Sequence, residues 1–186
     1  EALRDRAINL LERSDAAEVE SLRRELLRFV VVGGAYTGVE VAGELDMFVH
    51  EAAREYEHVH RDDIKVTLVE KEPHLLPQVS RELADYATTR LSERGVDIRL
   101  ETTVNRLAAD EVELSDGQRI ATRTCLWTAG IQPPPLLGKL DVPRDERGYM
   151  RCRPDLRVEG FDNVWGVGDA AVNPDPDGKP YPATAQ

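Results

Sequence analysis

A short apolar segment that ends in glycines is the feature of this sequence that most restricts its fold. Residues 29–32 read Phe-Val-Val-Val, and residues 33–38 read Gly-Gly-Ala-Tyr-Thr-Gly. A continuous β-branched run is typical of a strand buried on both faces, and the glycines allow a tight turn after it. The sequence therefore predicts a strand that passes directly into a helix.

The hydrophobic pattern after this turn alternates between helical and strand spacing. Helical spacing over 38–56 is followed by a strand-like run at 64–69, a second helix that ends at Gly95, and a strand-like run at 96–100. This order predicts an α/β fold, a Rossmann-like parallel sheet with helices and right-handed crossovers.

The N-terminal residues 1–28 are predicted to be helical. Ser14-Asp15 is predicted to break this region and to cap the helix that follows. The first apolar stripe comprises Leu3, Ala7, Leu10 and Leu11, and the second comprises Val19, Leu22 and Leu26.

A small antiparallel insertion is predicted after the third strand. Residues 104–107 and 111–114 are short strand-like runs, and Asp116-Gly117 is a strong turn signal. Residues 124–128 are predicted to return to the main sheet as a further strand.

Residues beyond Gly130 differ in character from the preceding part of the chain. They are rich in proline, and a strand pair is predicted at 149–151 and 156–158. Residues 173–186 have the composition of a loop. This part is therefore expected to belong to a second domain.

Composition excludes several partners. The formal net charge is −11, so the surface repels nucleic acid and anionic lipid. No run approaches the roughly 18 apolar residues of a membrane span, and residues 1–13 lack the apolar core of a secretory signal. We expect a cytoplasmic protein that does not bind nucleic acid.

The glycine-rich turn is a candidate phosphate site. The N-terminus of a helix presents unpaired N–H groups and a positive dipole end to an anion. Gly33 would allow the tight turn, and Gly38 would let the helix pack close to the strand. Ala35 replaces the middle glycine of the G-x-G-x-x-G pattern, which is expected to lower affinity.

Glu70 ends the second predicted strand. A carboxylate at this point can accept hydrogen bonds from the adenosine ribose and repel a 2′-phosphate. It predicts a preference for NAD(H) over NADP(H), although the neighbouring Lys71 opposes that preference. The alternative is a solvated glutamate without a ligand.

Two later segments also carry candidate cofactor contacts. The segment Trp-Thr-Ala-Gly (127–130) ends a predicted strand in small residues, so a ligand could approach the backbone there. The alternative is a buried tryptophan followed by a glycine at the end of the strand, without a ligand. Gly-Val-Gly-Asp-Ala-Ala (166–171) places Asp169 after a predicted strand, where it can meet a second phosphate-bearing cofactor or simply cap a turn.

Cysteine and histidine chemistry is not predicted. Cys125 and Cys152 do not form a C-x-x-C pair and are expected to be buried, reduced thiols. His58 and His60 lack a third ligand at a sensible spacing, so no metal site is expected. No catalytic acid, base or nucleophile can be assigned from the sequence.

Four segments together resemble the FAD-dependent pyridine nucleotide oxidoreductases, most closely the type II NADH dehydrogenases (NADH:quinone oxidoreductases). The segments are Val-Val-Gly-Gly-Ala-Tyr-Thr-Gly-Val-Glu-Val-Ala-Gly-Glu-Leu (31–45), Leu-Trp-Thr-Ala-Gly (126–130), Val-Gly-Asp-Ala-Ala (167–171) and Pro-Ala-Thr-Ala-Gln (182–186). The resemblance covers nearly the whole chain.

The resemblance implies two nested domains. Residues 1–27 would lead in from an FAD domain, 28–150 would form the NADH-binding domain, and 151–186 would begin the return of the FAD domain. A first FAD-binding turn and a membrane-associating part are expected to lie outside this chain. The chain is therefore expected to be inactive by itself.

The resemblance also assigns residues to cofactors, and Glu40 is placed near the nicotinamide. Asp169 would bind FAD, and Ala185-Gln186 would begin a quinone-facing motif. The full set of candidate cofactor-binding residues is Gly33, Gly34, Ala35, Thr37, Gly38, Glu40, Glu70, Ala129, Gly130, Gly168, Asp169, Ala170, Ala185 and Gln186.

The implied activity is hydride transfer from NADH to FAD and electron transfer onward to quinone. The parent protein would lie on the cytoplasmic face of a membrane, touching it only through parts outside this chain, and could form a homodimer. Two alternatives stay open. In the first, the same fold passes electrons to another acceptor, as in relatives of ferredoxin, rubredoxin or nitrite reductases or in sulfide:quinone reductase. In the second, the chain is a non-catalytic nucleotide sensor.

Overall fold

A four-stranded parallel sheet forms the centre of residues 1–129. The computed structural model describes residues 1–181. The sheet has the strand order β3-β2-β1-β7. Its strands are β1 (Arg28–Val32), β2 (Lys65–Val69), β3 (Asp97–Arg99) and β7 (Thr124–Trp127). All three pairings are parallel, which confirms the predicted fold class.

The first strand, β1, is buried on both faces: helices cover one face of the sheet, and residues of the antiparallel insertion pack against the other. Phe29 to Val32 are all buried, and β1 lies between β2 and β7. Side chains alternate between the two faces of the sheet. Phe29 and Val31 therefore join the core under the helices, and Val30 and Val32 join a second cluster with Val112 and Leu114.

Two helices connect these strands. Helix α3 (Tyr36–Ala52) follows the glycine turn, and a 3₁₀ turn at Ala53–Glu55 ends it. Helix α4 (Arg81–Arg94) begins at Ser80, whose Oγ accepts a hydrogen bond from the Leu83 N–H at 3.4 Å. Gly95 ends α4 in the left-handed conformation with φ +103°, as predicted.

The N-terminal helices differ from the prediction in where they are interrupted. Helix α1 (Ala2–Asp15) continues through Ser14-Asp15, and helix α2 (Glu20–Leu26) begins after Val19, which supplies no side-chain cap. Ser14 is buried and its Oγ donates to Arg23 O at 3.3 Å. The hydroxyl therefore links two helices instead of capping one.

The two predicted apolar stripes have different outcomes. Ala7, Leu10 and Leu11 of the first stripe are buried in the main core, as predicted. In the second stripe only Leu26 is buried. Val19 and Leu22 are exposed, because α2 is too short to bring more than its last turn against the sheet.

The predicted antiparallel insertion is confirmed and contains one more strand. It comprises β4 (Val104–Leu107), β5 (Glu111–Leu114) and β6 (Arg119–Ala121), paired in the order β4-β5-β6. Asp116-Gly117 forms the turn between β5 and β6. The third strand is short and lacks an apolar alternation, which is why the sequence did not reveal it.

The predicted strand pair at 149–151 and 156–158 is confirmed only in part. Strand β8 (Met150–Arg151) pairs in parallel with β9 (Ala171–Val172). Residues 156–158 form only isolated bridges, Cys152 to Val158 and Arg157 to Trp165. The Arg153 N–H donates to Arg157 O at 2.8 Å and the Glu159 N–H donates to Arg151 O at 2.9 Å, so the two predicted segments lie side by side. The second segment is too irregular to form a strand, and the regular partner of β8 is β9.

The contacts within the chain define two units, residues 1–129 and 130–186, of which the second is described to Tyr181. The helical lead-in 1–27 belongs to the first unit. The assignment of residues 28–150 to an NADH domain and of 151–186 to an FAD domain stays a prediction.

Candidate functional site

The glycine turn lies where β1 ends and α3 begins. Gly33 adopts φ +109°, and its N–H donates to Val69 O at 2.8 Å. A Cβ atom at position 38 would overlap the carbonyl oxygen of Gly33. These observations confirm the predicted geometric roles of Gly33 and Gly38, the tight turn and the close approach of helix to strand.

Ala35 is the N-cap residue of α3. Its φ of −77° is ordinary for an L-residue, so the methyl group causes no backbone strain. An alanine side chain cannot accept a hydrogen bond from the first turn of the helix. Among residues 1–181, no acceptor is found for the N–H groups of Ala35, Tyr36, Thr37 and Gly38.

These four N–H groups make the start of α3 a candidate anion site. Unpaired amide groups and the positive end of the helix dipole favour a negatively charged ligand. Thr37 is exposed here, and Glu40 is exposed one turn further along α3. Gly34 and Gly38 are buried. The binding roles of these residues stay predictions.

Glu70 is turned inward, beneath the glycine turn. It is only 8% exposed, although it follows the end of a strand. Its Oε2 accepts a hydrogen bond from the Gly34 N–H, and its Oε1 accepts one from the Glu72 N–H at 2.9 Å. The simple alternative of a solvated glutamate is therefore wrong, and contact with a ribose stays a prediction.

The loop after Glu70 also contacts the turn, which the sequence did not indicate. The Leu76 N–H donates to Gly34 O at 2.8 Å, with Leu76 at φ +51°. A Cβ at position 34 would lie 2.6 Å from Leu75 Cδ2. Packing against Leu75 and Glu70 therefore favours glycine at position 34, a reason that no sequence pattern reveals.

The end of β7 borders the other side of the turn. The Thr128 Oγ lies 2.9 Å from Val32 O and 3.2 Å from Gly33 O. A Cβ at position 33 would lie 2.9 Å from the Ala129 N atom. The sequence motif at 126–130 contains Thr128 but does not indicate its contact with the turn.

Trp127 is not a buried tryptophan. It is 60% exposed, and its Nε1 donates to Ala129 O at 2.9 Å. In the register of the sheet Trp127 lies beside Val32, at the end of β7. The alternative of a buried Trp127 in this segment is therefore wrong.

The predicted residues of the first unit therefore surround one place. The ends of β1, β2 and β7 bring together Gly33, Gly34, Ala35, Gly38, Glu70 and Ala129, with Thr37 on the first turn of α3. This is the carboxyl edge of a parallel sheet, where ligands of such folds bind. Gly130, with φ +80°, begins the second unit.

The predicted FAD residues lie in the second unit. Gly168–Ala170 form a 3₁₀ turn that precedes β9, and Asp169 is exposed. The expectation that Asp169 follows a strand is wrong, because residues 161–167 form only an isolated bridge at Trp165. Ala185 and Gln186 lie outside the described residues.

The two cysteines lie in different units. Cys125 is half-buried in β7, and Cys152 is buried in the small core of the second unit. Burial raises the pKa of the Cys125 thiol. Burial also raises the pKa of the Cys152 thiol, partly offset by its contact with the Gly166 backbone. Raised pKa values disfavour the reactive thiolate.

Within residues 1–181, no helix has both the length and the apolar character needed to cross a bilayer.

Comparison with known proteins identifies the wider relationship. "Probable NADH dehydrogenase" of Dictyostelium discoideum is 32% identical over 186 residues, which cover 99% of this chain and 41% of that protein. "Type II NADH:quinone oxidoreductase" of Staphylococcus saprophyticus is 34% identical over 164 residues, covering 84% and 40%. The chain thus spans about 40% of the length of these curated relatives.

A solved structure shares the fold. NDH2 from Plasmodium falciparum in complex with NADH superposes with a TM-score of 0.81 at 19% identity, covering 90% of this chain and 37% of that chain. The sequence profile described as pyridine nucleotide-disulphide oxidoreductase matches residues 5–186. The chain belongs to the pyridine nucleotide-disulphide oxidoreductase family.

Proposed function

We propose that this chain is the NAD(H)-binding part of a flavoprotein NADH dehydrogenase that passes electrons to quinone. The observation that carries the proposal is a row of N–H groups at residues 35–38 for which the described residues 1–181 provide no acceptor, at the carboxyl edge of a parallel sheet. Membership of the family and the names of the two curated relatives support it.

The first unit fits the diphosphate of NADH. The amides of Ala35 to Gly38 would bind the phosphate oxygens, because they are donors at the positive end of α3. Gly33 and Gly34 have no side chain, so the ligand would be able to approach the backbone of the turn closely. Each Glu70 carboxylate oxygen, Oε1 and Oε2, has a further lone pair. With these lone pairs the carboxylate would accept hydrogen bonds from the ribose hydroxyl groups.

The residues at the end of β7 would line the rest of the nucleotide. Ala129 and Gly130 are small, so a ligand can approach the backbone there. Glu40 would face the nicotinamide end. The role of these residues is to bind and orient, since no side chain of the described part stands out as a general acid or base.

FAD is the second cofactor of the proposal, and Gly168, Asp169 and Ala170 would contribute to its site. Asp169 is exposed on its 3₁₀ turn, which fits a residue that meets a ligand or another segment. The flavin, when bound, supplies the hydride acceptor. Because the other flavin contacts would lie outside this chain, we expect the chain by itself to have no turnover.

The same proposal includes three properties of the whole protein: quinone as the electron acceptor, a cytoplasmic location, and attachment to the face of the membrane. Support for quinone comes from the name of the staphylococcal relative. Residues 28–150 would be the NADH domain and 151–186 the start of the returning FAD domain. Ala185-Gln186 would begin the quinone-facing motif.

The proposal is tested by titrating the 186-residue chain with NADH and with NADPH, following nucleotide fluorescence. We expect saturable NADH binding and at least about tenfold weaker NADPH binding, because Glu70 repels a 2′-phosphate. The variant Glu70→Gln should narrow this difference. Glu72→Gln, which removes a neighbouring charge without touching Gly34, is the matched control.

A folded chain that binds neither nucleotide would contradict the assignment of residues 33–38. If the unmodified chain binds NADH and NADPH with equal affinity, the nucleotide site is supported, but the role of Glu70 in selecting NADH over NADPH is contradicted. Circular dichroism of each variant checks that the fold is retained.

A further inference from the structure

The peptide group between Gly33 and Gly34 has a side chain within hydrogen-bond distance at each end. Its carbonyl oxygen, Gly33 O, lies 3.2 Å from the Thr128 Oγ, whose single hydrogen it shares with Val32 O at 2.9 Å. Its N–H, on Gly34, donates to Glu70 Oε2. Thr128 follows β7 and Glu70 follows β2, so the two side chains approach from the strands on either side of β1.

The remaining backbone groups of the two glycines are also paired. The Gly33 N–H donates to Val69 O and Gly34 O accepts from the Leu76 N–H, both at 2.8 Å. Leu76 holds a φ of +51°, a conformation that a leucine adopts only when its surroundings enforce it. All four polar groups of the Gly33-Gly34 pair therefore have partners inside the first unit.

Without such partners, a Gly-Gly peptide has little resistance to rotation. Glycine occupies both signs of φ readily, so this peptide group can turn over between two orientations. Gly33 O lies against the Cα of Gly38, where a Cβ would overlap it. The orientation of this one carbonyl group therefore sets how closely the start of α3 approaches β1.

We propose that Thr128 and Glu70 are positioning residues that clamp the Gly33–Gly34 peptide and so hold the start of α3 ready for the nucleotide. The inference rests on the proposed nucleotide site. The amides of residues 35–38 are then in place before the ligand arrives. A site ordered in advance binds more tightly, because less conformational freedom is lost on binding.

Thr128 offers a matched pair of variants. Thr128→Val keeps the shape of the side chain and removes the hydroxyl, and Thr128→Ser keeps the hydroxyl. For Thr128→Val we expect exchange of the Gly34 amide, measured by NMR in the nucleotide-free chain, to become about 3- to 10-fold faster, as for loss of one hydrogen bond. Thr128→Ser should restore slow exchange.

NADH affinity should follow the exchange rate. Thr128→Val is expected to raise the NADH dissociation constant by about 3- to 10-fold, and Thr128→Ser to leave it near the original value. Glu70→Leu, which removes both acceptors and keeps the bulk, should accelerate exchange of the same Gly34 amide. Global amide exchange of β1 should be unchanged in Thr128→Val, which separates positioning from loss of fold.

The exchange measurement needs no nucleotide, so it separates this inference from the proposed function. Unchanged Gly34 exchange in both Thr128→Val and Glu70→Leu would overturn the clamp, whatever the chain binds. Faster exchange in Thr128→Val with unchanged NADH affinity would overturn its role in positioning the site. An unmodified chain that shows slow Gly34 exchange but no NADH binding would count against the proposed function alone.

Discussion

Residues 1–129 and residues 130–181 are built in different ways. The first unit contains the parallel sheet, its helices and the antiparallel insertion, and its main core runs from Ala7 to Val96. The second unit has two strands of two residues each and several isolated bridges. Its buried apolar cluster contains Leu137, Met150, Cys152 and Val158.

The difference lies in what stabilises each unit. Long elements bury many apolar side chains together, so the first unit is stabilised mainly by burial of its sheet and helices. The second unit depends on turns and short-range hydrogen bonds around a small cluster. Small clusters of this kind open more easily, because fewer contacts must break at once.

The largest effect is expected at the junction of β1 and α3. Gly38→Ala would place a methyl group on the Gly33 carbonyl oxygen, and backbone cannot move aside cheaply. We expect the free energy of unfolding of the first unit to fall by at least about 4 kcal/mol. Urea denaturation followed by circular dichroism measures it.

Gly43→Ala is the control in the same helix. Its Cβ would lie 3.4 Å from Leu91 Cδ2, an ordinary contact, and alanine favours helix over glycine. We expect a change of no more than about 1 kcal/mol. A similar loss of stability in both variants would mean that α3 does not approach β1 as closely as described.

An intermediate effect compares the two cores directly. Val66→Ala in β2 and Val158→Ala in the second unit remove the same two methyl groups from fully buried sites. We expect Val66→Ala to lower the free energy of local opening by about 2 kcal/mol and Val158→Ala by about 1 kcal/mol, because a small cluster relaxes around the gap. Amide hydrogen exchange by mass spectrometry reports both. A larger effect at Val158 would reverse the comparison.

The smallest effect concerns the two thiols. Burial raises the pKa of both Cys125 and Cys152, so each is a neutral thiol at pH 7. Alkylation by iodoacetamide should therefore be slow at pH 7 and accelerate as the pH rises toward the raised pKa values, since the thiolate is the nucleophile.

Which of the two cysteines is alkylated first shows whether the rate is set by burial in the closed structure or by local opening of each unit. Cys152 is more buried than Cys125, yet it lies in the unit that we expect to open more easily. We expect Cys152 to react first, by a factor of about 3 or less. Mass spectrometry of the single variants Cys125→Ser and Cys152→Ser assigns each rate. Faster reaction at Cys125 would show that the second unit is as tightly closed as the first.

Much of the first unit was predictable because its elements are long and regular. The apolar run at 29–32, the helical spacing after Gly38 and the left-handed stop at Gly95 each depend on local properties of the chain. The predictions failed where elements are short. Val19 and Leu22 follow a helical pattern but are exposed, and the pairing of β8 with β9 joins segments 20 residues apart.

The sequence by itself determined the order of the strands and helices of the parallel sheet, the glycines needed for backbone conformation, and the family motifs, because each depends on neighbouring residues. Only the tertiary structure decided that Glu70 turns inward to the Gly34 N–H and that Thr128 meets Gly33 from the opposite side. These contacts join residues 36 and 95 positions apart. Their formation depends on how three strands end at one edge of a sheet, and no local pattern carries that information.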